Sequence, residues 1–119
     1  MTVKHHLVMD LDFAYGGKPG GDTDEEFDAF TDHVLAALAD LEKADRGLSD
    51  PDITVTITRR EISITMRVEA DTYADALRIF SANVRTALHV AGCRTANWPM
   101  FRPEGNELPP ARKVDFQDA

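Results

Sequence analysis

The feature that most limits the possible folds is the order in which apolar periodicities follow one another: strand, helix, strand, strand, helix, strand. From Val3 to Phe13 every second position faces one side, which carries Val3, Leu7, Met9, Leu11 and Phe13 together with His5. Lys4, His6, Asp10 and Asp12 occupy the other side, with Val8 as the apolar interruption. A repeat of two over this length is the pattern of a strand with one buried face. Residues 14–21 then carry glycines and a proline and read as a connecting loop. After it the repeat lengthens, and Phe27, Phe30, Val34, Leu38 and Leu41 recur at helical spacing. Thr23 with Glu26 three residues on forms a capping box, and Gly47 is placed to end the helix in the left-handed conformation. A first helix is predicted over about 24–45.

The next two runs predict a hairpin. Asp50-Pro51-Asp52 reads as a turn into Ile53, Val55 and Ile57, which alternate with Thr54, Thr56 and Thr58. Beyond Arg59-Arg60 the phase shifts to Ile62, Ile64, Met66 and Val68, opposite Ser63, Thr65, Arg67 and Glu69. A two-residue turn at the arginines sets Ile57 across from Ile62, Val55 from Ile64 and Ile53 from Met66, with every apolar residue on one side. Arg-Arg is a poor type I′ sequence, so a slightly longer loop is the alternative. Thr72 and Asp75 then start a second helix, whose stripe is Tyr73, Ala76, Leu77, Phe80, Val84, Ala87, Leu88 and Ala91, closed by Gly92. A last strand is expected around 95–101, with Pro99 assigning it to a sheet edge.

This order is that of an α+β, ferredoxin-like βαββαβ two-layer sandwich, with antiparallel sheet order 4-1-3-2 and an extended C-terminal tail. The reading divides the chain into a domain over 1–102 and an extended or partly disordered tail over 103–119, with a short strand expected near 113–116. Both helices should cover one face of the sheet. The other face should expose a polar surface that includes His6, Asp10, Thr65 and Arg67. A fold of this kind hosts enzymes, sensors and assembly modules, so function has to be argued from residues.

Composition removes several functions. The 119 residues suit one domain. Thirteen basic against 21 acidic residues give a net charge of −8, which opposes the phosphate neutralisation that nucleic-acid binding needs. The central strands also offer no outward aromatics on which RNA bases could stack. No apolar run is long enough to span a membrane, and the N-terminus lacks the apolar centre of a signal peptide. The single cysteine, Cys93, fits a reducing compartment. The expectation is a cytoplasmic protein that binds neither nucleic acid nor membrane.

Asp10-Leu11-Asp12-Phe13 is the sharpest chemical feature. Its two carboxylates share a strand face, roughly 6.5–7 Å apart along the chain, and hard divalent cations take such oxygens. This stretch resembles the first acidic motif of polymerase-palm and nucleotide-cyclase domains. The resemblance implies a βαββαβ core and a two-metal site completed by an acid from the central hairpin. It covers four residues; the hairpin here carries Thr58-Arg59-Arg60-Glu61, where Glu61 serves only if the turn is rearranged. Other motifs are weaker. His5 and His6 point to opposite faces, His33 and His89 lie on different helices, and no Cys/His spacing matches zinc. Lys18 in the glycine-rich loop precedes a proline and acids, unlike a phosphate-binding loop. Cys93 has Arg94 beside it, which favours a thiolate, but no histidine as a sequence neighbour.

No catalytic constellation and no cofactor motif emerges. The expectation is a non-catalytic interaction or assembly module, homo-oligomeric and binding a partner protein. Its contact regions are the acidic first-helix start (Asp24, Glu25, Asp28), the edge residues Trp98, Met100 and Phe101, and the tail. The alternative, enzymatic or ligand-sensing, is a dimeric α+β barrel that holds a small ligand, or a divalent metal at Asp10 and Asp12.

Overall fold

The computed structural model describes residues 2–16, 20, 22–45, 47–92, 101–103 and 108–114. It is a mixed α+β domain whose strands are β1 (Val3–Tyr15), β2 (Leu48–Thr56), β3 (Glu61–Ala70), β4 (Phe101–Pro103) and β5 (Arg112–Lys113). Its helices are α1 (Asp24–Ala44) and α2 (Tyr73–Val90). The sheet is antiparallel in the order β2-β3-β1-β4, the expected order counted from the opposite edge. β5 also pairs with β1, at Leu7↔Lys113 and Val8↔Arg112. Since β3 takes β1's other edge from Val3 to Asp12, β4 and β5 share one side of β1. Among the described residues no helix is long and apolar enough to cross a membrane.

The alternation read from β1 and β3 is the core. Leu7, Met9, Leu11 and Phe13 join Ile62, Ile64, Met66 and Val68 in one buried cluster with Phe27, Val34 and Leu38 of α1 and Phe80, Val84 and Leu88 of α2. Both buried helical stripes meet the same strand face, so the helices lie on one side of the sheet. Phe13, Phe27 and Phe30 close one end, with ring centroids 5.3–6.0 Å apart. Val3 and Tyr73, expected inward, are 52% and 42% exposed. They sit at the end of the sheet where β1 begins and α2 starts, and the Tyr73 ring lies beside His5 at 6.0 Å.

Helix ends show what capping chemistry decides. The Thr23 hydroxyl accepts from the Glu26 amide at 3.1 Å, and the Thr72 hydroxyl from the Asp75 amide at 3.1 Å. Gly92 closes α2 at φ +98, as read. Gly47 does not close α1 in this way. The extended Asp45 is the cap instead, its carboxylate accepting from the Gly47 amide at 2.9 Å.

Two expectations around the hairpin need correction. The observed register is Val55↔Ile62 and Ile53↔Ile64, two residues from that of a tight Arg-Arg turn. Ile57 leaves the ladder for a short 3-10 turn, Ile57–Arg59, and Arg60 takes φ +54. A shift of two keeps every side chain on its face, so the alternation could not distinguish the registers. The second correction concerns Asp50-Pro51-Asp52, which lies within β2 as an irregularity between Ser49 and Asp52. Asp50 adopts φ +53 there, and Leu48 before it is buried core.

Of the last strand expected at 95–101, only Phe101 falls among the described residues, and it is in β4. Described pairing starts at Tyr15↔Phe101 and ends at Phe13↔Pro103, and residues 93–100 lie outside the described part. The chain after Pro103 meets the sheet again at β5, which shares Lys113 with the short strand expected near 113–116; residues 115 and 116 lie outside the described part. Leu108 and Ala111 pack against the core on the way.

Candidate functional site

The pairing of β1 with β3 builds the sheet face turned away from the helices. It sets His6 across from Arg67, Val8 from Thr65, Asp10 from Ser63 and Asp12 from Glu61. Asp10 and Arg67 are exposed, whereas His6 and Thr65 are half-buried. Val8 is buried although it points away from the helices.

Asp10 is the most constrained acid on this face. The Ser63 hydroxyl donates to its Oδ1, and Arg112 Nη2 donates to its Oδ2 at 2.9 Å. Arg112 reaches it diagonally, because β5 sets that residue opposite Val8. The Ser63 hydrogen bond first, then that of Arg112, holds the carboxyl below the usual carboxylate range. Asp12 is exposed, with Glu61 opposite it on β3. Among the described residues no group of three or more His, Cys, Asp or Glu side chains comes together to hold a metal ion. The cation placed at Asp10 is the Arg112 guanidinium.

A second polar group surrounds His6. Arg67 pairs with Asp50 at 3.1 Å. Burial lowers the His6 pKa, the Arg67 charge lowers it further, and Asp50 opposes both. The imidazole is therefore held toward its neutral form.

The start of α1 contains an unforeseen clasp. Arg60, at the hairpin tip, donates through Nε to Asp22 at 2.8 Å and through Nη1 to Asp24 at 2.9 Å. Its guanidinium carbon sits 5.3 Å from the Phe27 ring centroid, and its carbonyl accepts from the Phe13 amide at 2.9 Å. One residue thus ties the loop end, the helix start and β1 to the hairpin. Of the three acids read as a contact region, Asp24 is paired with Arg60 while its side chain stays largely open to solvent. Glu25 and Asp28 are exposed as well, outside the clasp.

Trp98 and Met100 lie outside the described residues, and Phe101 takes its place in β4 through backbone pairing with Tyr15. The structure therefore brings together Asp10 with Ser63 and Arg112, and His6 with Arg67. It does not bring the acidic helix start to either group. Ser63 was legible as a residue of this face, but its place opposite Asp10 comes from the β1–β3 register; Arg112 carried no local signal. Comparison of the chain with protein-family models, curated proteins and solved structures finds no match.

Proposed function

We propose that this chain is a small non-catalytic assembly module, homodimeric and able to bind a partner protein, built as a ferredoxin-like βαββαβ sandwich. The observation that carries this reading is the division among the acids of α1. The Thr23 cap and the helix dipole act within the first turn, and Asp24 is engaged by Arg60. Glu25, Asp28 and Asp32 remain exposed. Charge left in solvent beyond what the helix start requires is suited to a docking partner. Trp98, Met100 and Phe101 belong to the same reading as an edge contact, and a cytoplasmic location is supported by the lone Cys93.

Sedimentation equilibrium over a wide concentration range tests this. A reversible dimer is expected; a monomer at every concentration would remove the reading.

The second reading is a divalent-metal or small-ligand site at Asp10 and Asp12. It is favoured by two carboxylates two residues apart on one exposed face, one of them held ionised. Calorimetric titration with manganese separates the two readings. Uptake that disappears in Asp10→Asn would select the metal site, and absence of heat would leave the interaction module.

A further inference from the structure

The outward faces of the two helices carry complementary patterns. Opposite the buried stripe of α1, Asp28, Asp32, Ala36, Asp40 and Lys43 are exposed. Opposite that of α2, Arg78, Ala82, Arg85 and His89 are exposed and Asp75 is half-exposed. One helix presents mainly acids and the other mainly bases, both interrupted by alanine.

The order along each helix matters more than the totals. Each helix returns along the strand before it, and β1 and β3 are antiparallel, so α1 and α2 run antiparallel. A two-fold axis parallel to the helices lays α1 of one copy on α2 of another, again antiparallel. In the register that aligns the two charge patterns, Asp32 meets Arg85, Ala36 meets Ala82 and Asp40 meets Arg78. The same register continues to Lys43 against Asp75 at one end and Asp28 against His89 at the other. From Asp32 to Lys43 the helix rises about 16 Å, and from Asp75 to Arg85 about 15 Å, so the register holds throughout. Alanines at the middle allow close approach, and the opposed helix dipoles favour the antiparallel contact.

We infer that the outer helical face is the homodimer interface, its occupant a second copy of this chain, with Asp32 and Asp40 of α1 paired to Arg85 and Arg78 of the other copy's α2. This rests on the homodimeric reading above and assigns it a surface. Arg78 also pairs with Asp75 on its own helix at 2.5 Å, an exposed contact of small worth. The dimer adds Asp40 and Lys43 around that pair. The net charge of −8 opposes self-association at long range, so these local pairs must carry it.

Two charge reversals provide the test, because each breaks its own homodimer and the two restore each other. Asp32→Arg faces Arg85 twice in a homodimer, and Arg85→Asp faces Asp32 twice. Mixed together, the two variants regain an opposite charge at both contacts. Circular dichroism should show both folded, since both positions are exposed on a helix surface.

Sedimentation equilibrium should show each variant's dimer weakened by about tenfold or more, and the equimolar mixture near the unmodified affinity. Asp32→Arg makes the chain less negative, so its weakening cannot come from bulk repulsion. A dimer indifferent to both reversals would overturn this interface and leave the homodimeric reading standing. Weakening without recovery on mixing would overturn the Asp32–Arg85 pairing. A monomeric unmodified chain would overturn both.

Discussion

On the helix side of the sheet, Leu11, Ile64, Met66 and Phe80 are at most 1% exposed and belong to one buried apolar cluster. On the other side, Asp10, Ser63, Arg112, Arg67 and Asp50 form contacts between groups that stay in reach of water. One side is held by removal of apolar surface, about 1.5–3 kcal/mol for each fully buried large side chain. The other is held by exposed ion pairs, each worth about 0–1 kcal/mol. Stability is thus concentrated on one side of the sheet, and the other is free to vary its charge without unfolding the domain.

The strongest challenge to that contrast is a cavity on the helix side. Phe80→Ala should destabilise by about 3–5 kcal/mol, because neighbouring strands and helices cannot collapse into the gap. Chemical denaturation measures it, and a loss below about 1 kcal/mol would show that the core is not the main support.

The Arg60 clasp sits between the two regimes, because its side chain is 16% exposed while Asp22 and Asp24 are largely open. Arg60→Ala should cost about 1–2 kcal/mol through the lost charge-assisted hydrogen bonds and the contact with Phe27. Arg60→Gly loses the same contacts but fits φ +54 without a Cβ. It should be more stable than the alanine variant by about 0.5–1 kcal/mol. Equal stabilities would mean that the left-handed conformation carries no strain.

Capping is the next effect down. Thr72→Ala leaves the Asp75 amide without its acceptor and should lower stability by about 1 kcal/mol, read from the thermal midpoint.

The polar side should give the smallest changes and the clearest pH dependence. Asp10 has a folded pKa below its unfolded one, so its stabilisation is present above the unfolded pKa and is lost as pH falls through the folded one. Asp10→Asn should therefore be less stable than the unmodified chain near neutrality, and the difference should vanish in acid. His6 is also depressed, so the unfolded chain binds its proton first as pH drops below about 6.5. Stability declines from there down to the folded pKa, and His6→Gln should remove that slope. Imidazole chemical shifts followed by NMR against pH check the direction directly; a raised pKa would contradict the burial argument.

Local chemistry determined the helices and the two buried faces. Thr23 and Thr72 cap nearby amides, Gly92 ends α2, and the alternation in Leu7–Phe13 and Ile62–Val68 selects the inward side whatever the partner strand. The strand order followed from the same elements, since short connections and an apolar face leave few arrangements. Tertiary structure alone decided the hairpin register, because a shift of two residues preserves every face. It also decided the use of Arg60, Ser63 and Arg112. Arg112 stands 102 positions from Asp10, and no periodicity in either segment reports on the other. A carboxylate's role depends on which cation the fold brings to it, and that choice is made by the β1–β3 and β1–β5 pairings rather than by residues 10–12.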